Sequence, residues 1–312
     1  MDCYFNDYFL SVIKQALRAQ LYQVKDQNLS CDLVLVKSLL FGNRLISLGY
    51  LTDGGIVGDA QQSQEKILAE IKKIANQHKV DYVEFRGGIK PNTDQLIIRD
   101  HIYANFTKNM ANIDDILLSI PRKKRADIRK AVNNTALQCV DNVRVNDFYA
   151  LFSKSQHLHG TPIHSKKYYQ TLCDNSDYAQ IYGVRHNHKL VATCIVFITG
   201  NELIAYYGAA DKDYVKSHVY DLLYYYLMQI AKQKQLVFNF GRSKHETGSF
   251  KYKTLWGFEP YETTHYIMPI SNKPIADLRA NNPKFSRKIA LWRRLPLWLA
   301  NLIGPYILRQ IG

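Results

Sequence analysis

VFNFGRSKHETGSFKYKTLWGF, residues 237–258, is the stretch from which the rest of this chain is read. Its apolar start, with Leu236 before it, has the length and composition of a buried strand and stops at Gly241. A loop follows with Arg242, Lys244 and, when protonated, His245 as cations, and with Ser243, Thr247 and Ser249 as hydroxyls. A short helical segment then carries Lys251 and Lys253 before Trp256-Gly257-Phe258. A strand that opens into a basic, hydroxyl-rich turn at a helix start suits an anion, because unpaired N–H groups and side-chain donors converge there. A solvated βα turn with the same charges is the alternative.

On either side the order of elements repeats. The first half predicts a helix over residues 5–18, strands near 21–24, 33–36 and 45–48, a helix over 61–77 and a strand at 82–85. Further strands are expected near 96–98 and 102–106. The second half predicts strands at 179–184, 190–198 and 203–207, and a long helix over 214–232 whose Val215, Val219, Leu222, Leu223, Tyr226, Leu227 and Ile230 face a core. A strand at 237–240, a short helix near 249–255 and a strand at 265–268 complete it. Helices over 113–119 and 122–132 form the bridge. The pattern alone gives an α+β chain with a duplicated order.

With 312 residues, 46% of them hydrophobic and 22% charged, the chain is long enough for two globular domains. Its five cysteines lack metal or disulfide spacing, and its first residues lack the charge pattern of a secretory signal, which fits a cytoplasmic protein. No apolar run reaches the roughly 18–20 residues that cross a bilayer. The net charge of +14 is concentrated. Residues 122–130 carry +5, residues 232–253 carry +5 and residues 273–312 carry +7, which leaves −3 for everything else. Such clustering points to a polyanion or an anionic membrane surface.

The residues exclude several chemistries. There is no GxSxG, no HExxH, no GxGxxG and no GxxxxGK[ST], and the acetyl-CoA loop expected ahead of Val215 is replaced by Asp211-Lys212-Asp213-Tyr214. The histidines at 157, 159 and 164 share no helix face and gain no carboxylate, so no metal is expected. What remains is a set of single candidates. Lys253 is a fixed cation for an oxyanion or a departing carrier. Arg242 is a bidentate clamp for phosphate or carboxylate, or a structural ion pair. Asp221 is placed to orient or deprotonate an acceptor, or merely to complement a helix dipole. His159, with Thr161 in HGTP, is a base or a substrate contact. Arg125 and Arg129 lie on a helix whose stacked charge suits a sugar diphosphate or tRNA backbone.

Several patches in order carry a resemblance. GRSK (241–244), TGS (247–249), Tyr252-Lys253 and WGFEP (256–260) are similar to FemAB-like acyltransferases, closest to the branch associated with the XrtA/PEP-CTERM exopolysaccharide system. Gly248, Phe250, Tyr252 and Lys253 fit that family's Gly-x-aromatic and aromatic-Lys register. SLLFGNRLISLGYLTDGGI (38–56), PRKKRADIRKA (121–131), HGTP (159–162) and NLIGPYILRQIG (301–312) extend the match over nearly the whole chain. Asn239 stands where an Asp is expected, and Tyr220 where an Asn often precedes Asp221. The resemblance implies tandem GNAT-like domains, with mixed central sheets flanked by helices. A first subdomain, short at its N-terminus, spans 1–118; the acyltransferase domain spans 119–270; a basic aromatic tail spans 271–312. It places the acyl donor where two strands splay, at Tyr207 and Gly208 facing residues 237–240. Gly241, Ser243, Lys244, Thr247, Ser249, Tyr252 and Trp256 then bind substrate.

The function implied is direct acyl or aminoacyl transfer to an amine or hydroxyl of an envelope or exopolysaccharide precursor. No cofactor is permanently bound, and acyl-CoA or aminoacyl-tRNA serves as co-substrate. Two other readings stay open: a small-molecule N-acetyltransferase using acetyl-CoA, and a non-catalytic scaffold for polyanions or lipid-linked sugars. The tail from residue 285 either lies on the inner face of the membrane with Trp292 and Trp298 at headgroup depth, or docks as a final helix pair.

Overall fold

Alternation of burial along the strands shows which surfaces meet. The protein is described by a computed structural model covering residues 3–38, 41–174, 176–275 and 283–312. Residues 39–40 of the 38–56 stretch and 276–282 of the basic tail lie outside the described residues. The chain begins with α1 (Cys3–Leu17), β1 (Gln20–Asp26), β2 (Leu29–Val36), β3 (Arg44–Ser47) and α2 (Glu65–Gln77). It continues through β4 (Tyr82–Arg86), β5 (Ile97–Arg99), β6 (Tyr103–Asn109), α3 (Arg122–Val132) and β7 (Leu137–Val140). Then come α4 (Val145–His159), α5 (Lys166–Cys173), β8 (Ala179–His186), β9 (Lys189–Ile198) and β10 (Glu202–Ala210). After α6 (Val219–Gln233) follow β11 (Val237–Asn239), β12 (Ser243–Lys244), α7 (Gly248–Thr254), β13 (Pro260–Glu262) and β14 (His265–Pro269). The last elements are α8 (Pro283–Trp292) and α9 (Leu297–Ile311).

Two mixed sheets result, with strand orders β1-β2-β3-β4-β14-β5 and β12-β6-β11-β10-β9-β8-β7. They exchange strands. β6, from the first half, pairs antiparallel with β11 at Val237↔Asn109 and with β12 at Ser243↔Ala104. β14, from the second half, inserts between β4 and β5, pairing His265↔Arg86 and His265↔Arg99. A cut at 118/119 therefore separates β6 from the sheet it completes. Both faces of β2 are buried: Leu33 and Leu35 pack with α2, whereas Val34 and Val36 join a core shared with α1 and α4. That shared core reaches Ile195 and Phe197 of the second sheet, so α1 spans both units. The opposite face of the second sheet is covered by α3 and α6.

Local chemistry explains the departures from the sequence reading. Residues 113–119 form turns rather than a helix, and α3 packs on α6 instead of bridging the halves. The long helix expected over 214–232 is split by His218 at φ 56, which ends a 3₁₀ turn (Lys212–Ser217) before α6 begins. Val215 is consequently exposed, not core-facing. The helices α4 and α5 escape the sequence reading. The first buries Phe148, Leu151, Phe152 and Ser155 at helical spacing and stops at Gly160, φ 77; Ser165 caps the second.

Candidate active site

The site begins where β10 and β11 part. Their parallel pairing runs from Glu202↔Val237 to Ile204↔Asn239, and no further pairs form beyond it. On its other edge β10 is bulged between Ala205 and Tyr207 against β9, which adds twist where the strands separate. Beyond Ile204, main-chain groups on the β11 side of β10 have no strand opposite them. β11 turns away through Phe240 and Gly241, whose φ of +71 favours glycine. A cleft of about 660 Å³ opens in this wedge.

The cleft brings together seven of the residues expected in the site: His159, Gly208, Gly241, Arg242, Ser249, Tyr252 and Lys253. Lys253 lies on its floor at 7% exposure. Its ammonium donates to the carbonyl of Gly241 at 2.7 Å and that of Arg242 at 3.2 Å, and sits 5.6 Å from the Phe106 ring centroid. Burial, with help from the Arg242 charge, pushes its pKa down to about 7. Two carbonyls use two of three N–H donors, leaving the third for a group in the cleft. Arg242 is half-buried, stacks 4.2 Å over Tyr103 and lies 3.4 Å from His265 Nε2. Burial and then the Arg86 charge lower its pKa. Behind it, burial raises the Glu84 carboxyl, but Arg86 and His265 outweigh this and hold it well below the usual carboxylate range.

Asp221 does not line the cleft. One helical position from Tyr220, it turns inward, where it accepts from Lys124 at 2.9 Å, Tyr252 Oη at 2.7 Å and His218 Nδ1 at 3.1 Å. It steadies the ring of Tyr252, which reaches the cleft, and has no free route to an acceptor. Asp127, His218 and Asp221 approach one another as metal ligands would, but the Lys124 ammonium stands 3.8 Å from Asp127 and 2.9 Å from Asp221. A cation already occupies that position.

The other candidates are structural neighbours. Ser243 is buried and bonds Ser249 Oγ at 2.8 Å. Thr247 caps α7 by accepting from Phe250 N and donates to the Lys244 carbonyl at 2.7 Å. Lys244 itself pairs with Tyr103 through β12, and His245 is engaged by Glu262 at 2.8 Å. Trp256 is fully buried among Tyr224, Phe240 and Tyr252, so it cannot touch a substrate. Arg125 donates to the carbonyls of Leu118 and Ile120, while Arg129 is exposed on α3. Tyr207 and Thr161 line an adjoining cavity of about 340 Å³, where Tyr207 Oη meets Tyr168 Oη at 3.0 Å.

The structure adds Tyr220 and Tyr224, one turn apart on α6 with their rings stacked at 5.8 Å, and Gln156 from α4. Their signal in the sequence was the i, i+4 spacing of two tyrosines, which reads equally well as core. The buried Lys124 gave no signal within its run of cations.

Residues 122–254 match the acetyltransferase (GNAT) domain family. No curated protein matches the sequence significantly. Among solved structures, FemX aligns at a TM-score of 0.65 and 11% identity, over 90% of this chain and 93% of FemX. L-PGS from Bacillus licheniformis aligns at 0.57 and 16%, over 96% of each chain. A tandem GNAT protein from the clavulanic acid biosynthesis pathway aligns at 0.53 and 11%, over 86% of this chain and 89% of that one. The fold is that of tandem GNAT-like domains with mixed sheets flanked by helices.

Proposed function

We propose that this protein is an acyltransferase that moves an acyl or aminoacyl group directly from an anionic carrier to an amine or hydroxyl. The observation that carries this reading is the wedge between β10 and β11 with a buried ammonium on its floor that has no carboxylate partner among the described residues. An acyl carbonyl lying along the unpaired edge of β10 meets the main-chain N–H groups that do not point to β9, on a strand that its pairing with β9 holds in place. The acceptor's lone pair forms the new bond to the acyl carbon. The bond to the carrier then breaks, its electron pair leaving with the carrier, and the proton that the acceptor gives up ends on the departing carrier atom.

Lys253 supplies its third N–H to the oxyanion or to the departing atom. Arg242, which lines the cleft, holds the carrier's or the acceptor's anionic group. Tyr220, Tyr224 and Tyr252 give the cleft an aromatic wall that keeps water from the acyl group. The acceptor class, an envelope or exopolysaccharide precursor, follows from the sequence resemblance and not from the fold.

Calorimetric titration with acetyl-CoA, longer acyl-CoAs and an aminoacyl-tRNA tests the reading. Saturable binding of a CoA ester makes the protein acyl-CoA-dependent. Binding of charged tRNA alone, weakened steeply by salt, makes it an aminoacyltransferase. Binding of neither, with polyanion binding intact, replaces the enzyme by a scaffold.

A further inference from the structure

The C-terminal helices resolve into two unlike faces. On α9, Ala300 and Gly304 are buried, and a Cβ on Gly304 would meet the carbonyl oxygen of Ile163 at 3.1 Å, so glycine permits this close docking. α8 is fastened nearby: His157 Nε2 lies 3.0 Å from the Trp292 carbonyl oxygen, and Arg293 donates to the His159 carbonyl at 3.1 Å. The opposite face of α9 carries Trp298, Leu302 and Tyr306 at i, i+4 and i+8, exposed to 68%, 58% and 63%. Leu291 of α8 is exposed as well. A docked helix pair has no internal reason to show water a stripe of large apolar side chains.

Charge identifies what that stripe meets. Residues 283–312 contain six lysines and arginines and no acid. Arg287, Arg294 and Arg309 are exposed on the same two-helix segment. Among the described residues no helix is long and apolar enough to cross a membrane. Exposed aromatic and leucine side chains on a docked helix, in a segment that carries exposed cations and no acid, have the chemistry of a headgroup-level contact.

We propose that α8 and α9 seat the protein on an anionic lipid surface, with Trp298, Leu302 and Tyr306 entering the headgroup region and Arg287 and Arg294 facing the phosphates. The seat adjoins the cleft, since His159 both lines it and holds Arg293. Such a contact is peripheral and reversible.

Flotation of the full chain with mixed phosphatidylcholine–phosphatidylglycerol vesicles, against phosphatidylcholine alone, tests this. The expected result is flotation with the anionic vesicles only, weakened by salt. Trp256 and Trp292 are buried, so a blue shift of tryptophan emission on adding vesicles reports Trp298. Trp298→Phe should abolish the shift while flotation persists. Trp298→Ser/Leu302→Ser/Tyr306→Ser should lose both, and Arg287→Gln/Arg294→Gln should weaken flotation by about five-fold per cation removed. All five positions are exposed, and thermal melts confirm that the variants fold. Equal flotation of wild type and the triple serine variant overturns the proposal, as does no flotation. Wild-type dimers that the serine variant dissociates, with neither form binding vesicles, would assign the face to a second copy instead.

Discussion

Lys124 and Lys253 are equally buried, each at 7% exposure, yet their surroundings differ in kind. The Lys124 ammonium faces two carboxylates, Asp221 at 2.9 Å and Asp127 at 3.8 Å, and lies over the rings of Tyr252 and Trp256. Lys253 has carbonyl oxygens and rings but, among the described residues, no carboxylate, and a cleft in front of it. A compensated buried charge knits α3, α6 and α7 together. An uncompensated one, depressed in pKa and open to a cavity, is where function is sought.

The contrast has measurable consequences, the largest at Lys124. Lys124→Met strands Asp221 without its cation and is expected to cost about 3–5 kcal/mol in denaturant unfolding. Adding Asp221→Leu should recover much of that loss. A single-variant cost near zero would erase the distinction between the two lysines. Lys253→Met is expected to lower turnover about 100- to 1000-fold while the protein stays folded. Turnover that survives moves the chemistry elsewhere in the cleft.

The pH dependence separates them further. Lys253 has a pKa of about 7 when folded against 10.5 ordinarily. Between these values the unfolded chain binds one more proton, so this position adds stability as pH rises. The penalty is full below about pH 7. Lys253→Met should therefore exceed wild type in stability most at low pH, by roughly a few kcal/mol, with the gap closing toward pH 10. In activity, an ammonium donor gives a limb that falls above about pH 7, and a rising limb would make Lys253 a base instead. The smallest effect belongs to Tyr252→Phe. It removes one hydrogen bond to Asp221 and should cost about 1.5 kcal/mol, with a modest fall in turnover from a less fixed ring.

Much of the candidate site was legible because it is local. Gly241, Arg242, Ser249, Tyr252 and Lys253 lie within thirteen consecutive residues, and the strand–turn–helix they occupy follows from apolar run, glycine and Thr247 cap. Asp221 was misjudged for the opposite reason. Its partners Lys124 and Tyr252 lie 97 and 31 residues away, and no periodicity reports which helix face meets a buried cation. Trp256 likewise reads as a contact residue beside a basic loop, but packing closes over it.

The amino-acid sequence by itself determined the duplicated order of elements, the turn at Gly241 just beyond β11, and a chain whose positive charge is concentrated in three segments. Those features follow from side-chain period and backbone freedom, which act over a few residues. Only the tertiary structure decided that β6 and β14 trade sheets, that α1 ties the units through one core, and that of two buried lysines one is paired and one faces a cleft. Strand partners and counter-charges are chosen by contacts between segments distant in the chain, where the gain from burial outweighs the entropy of closing the loop between them.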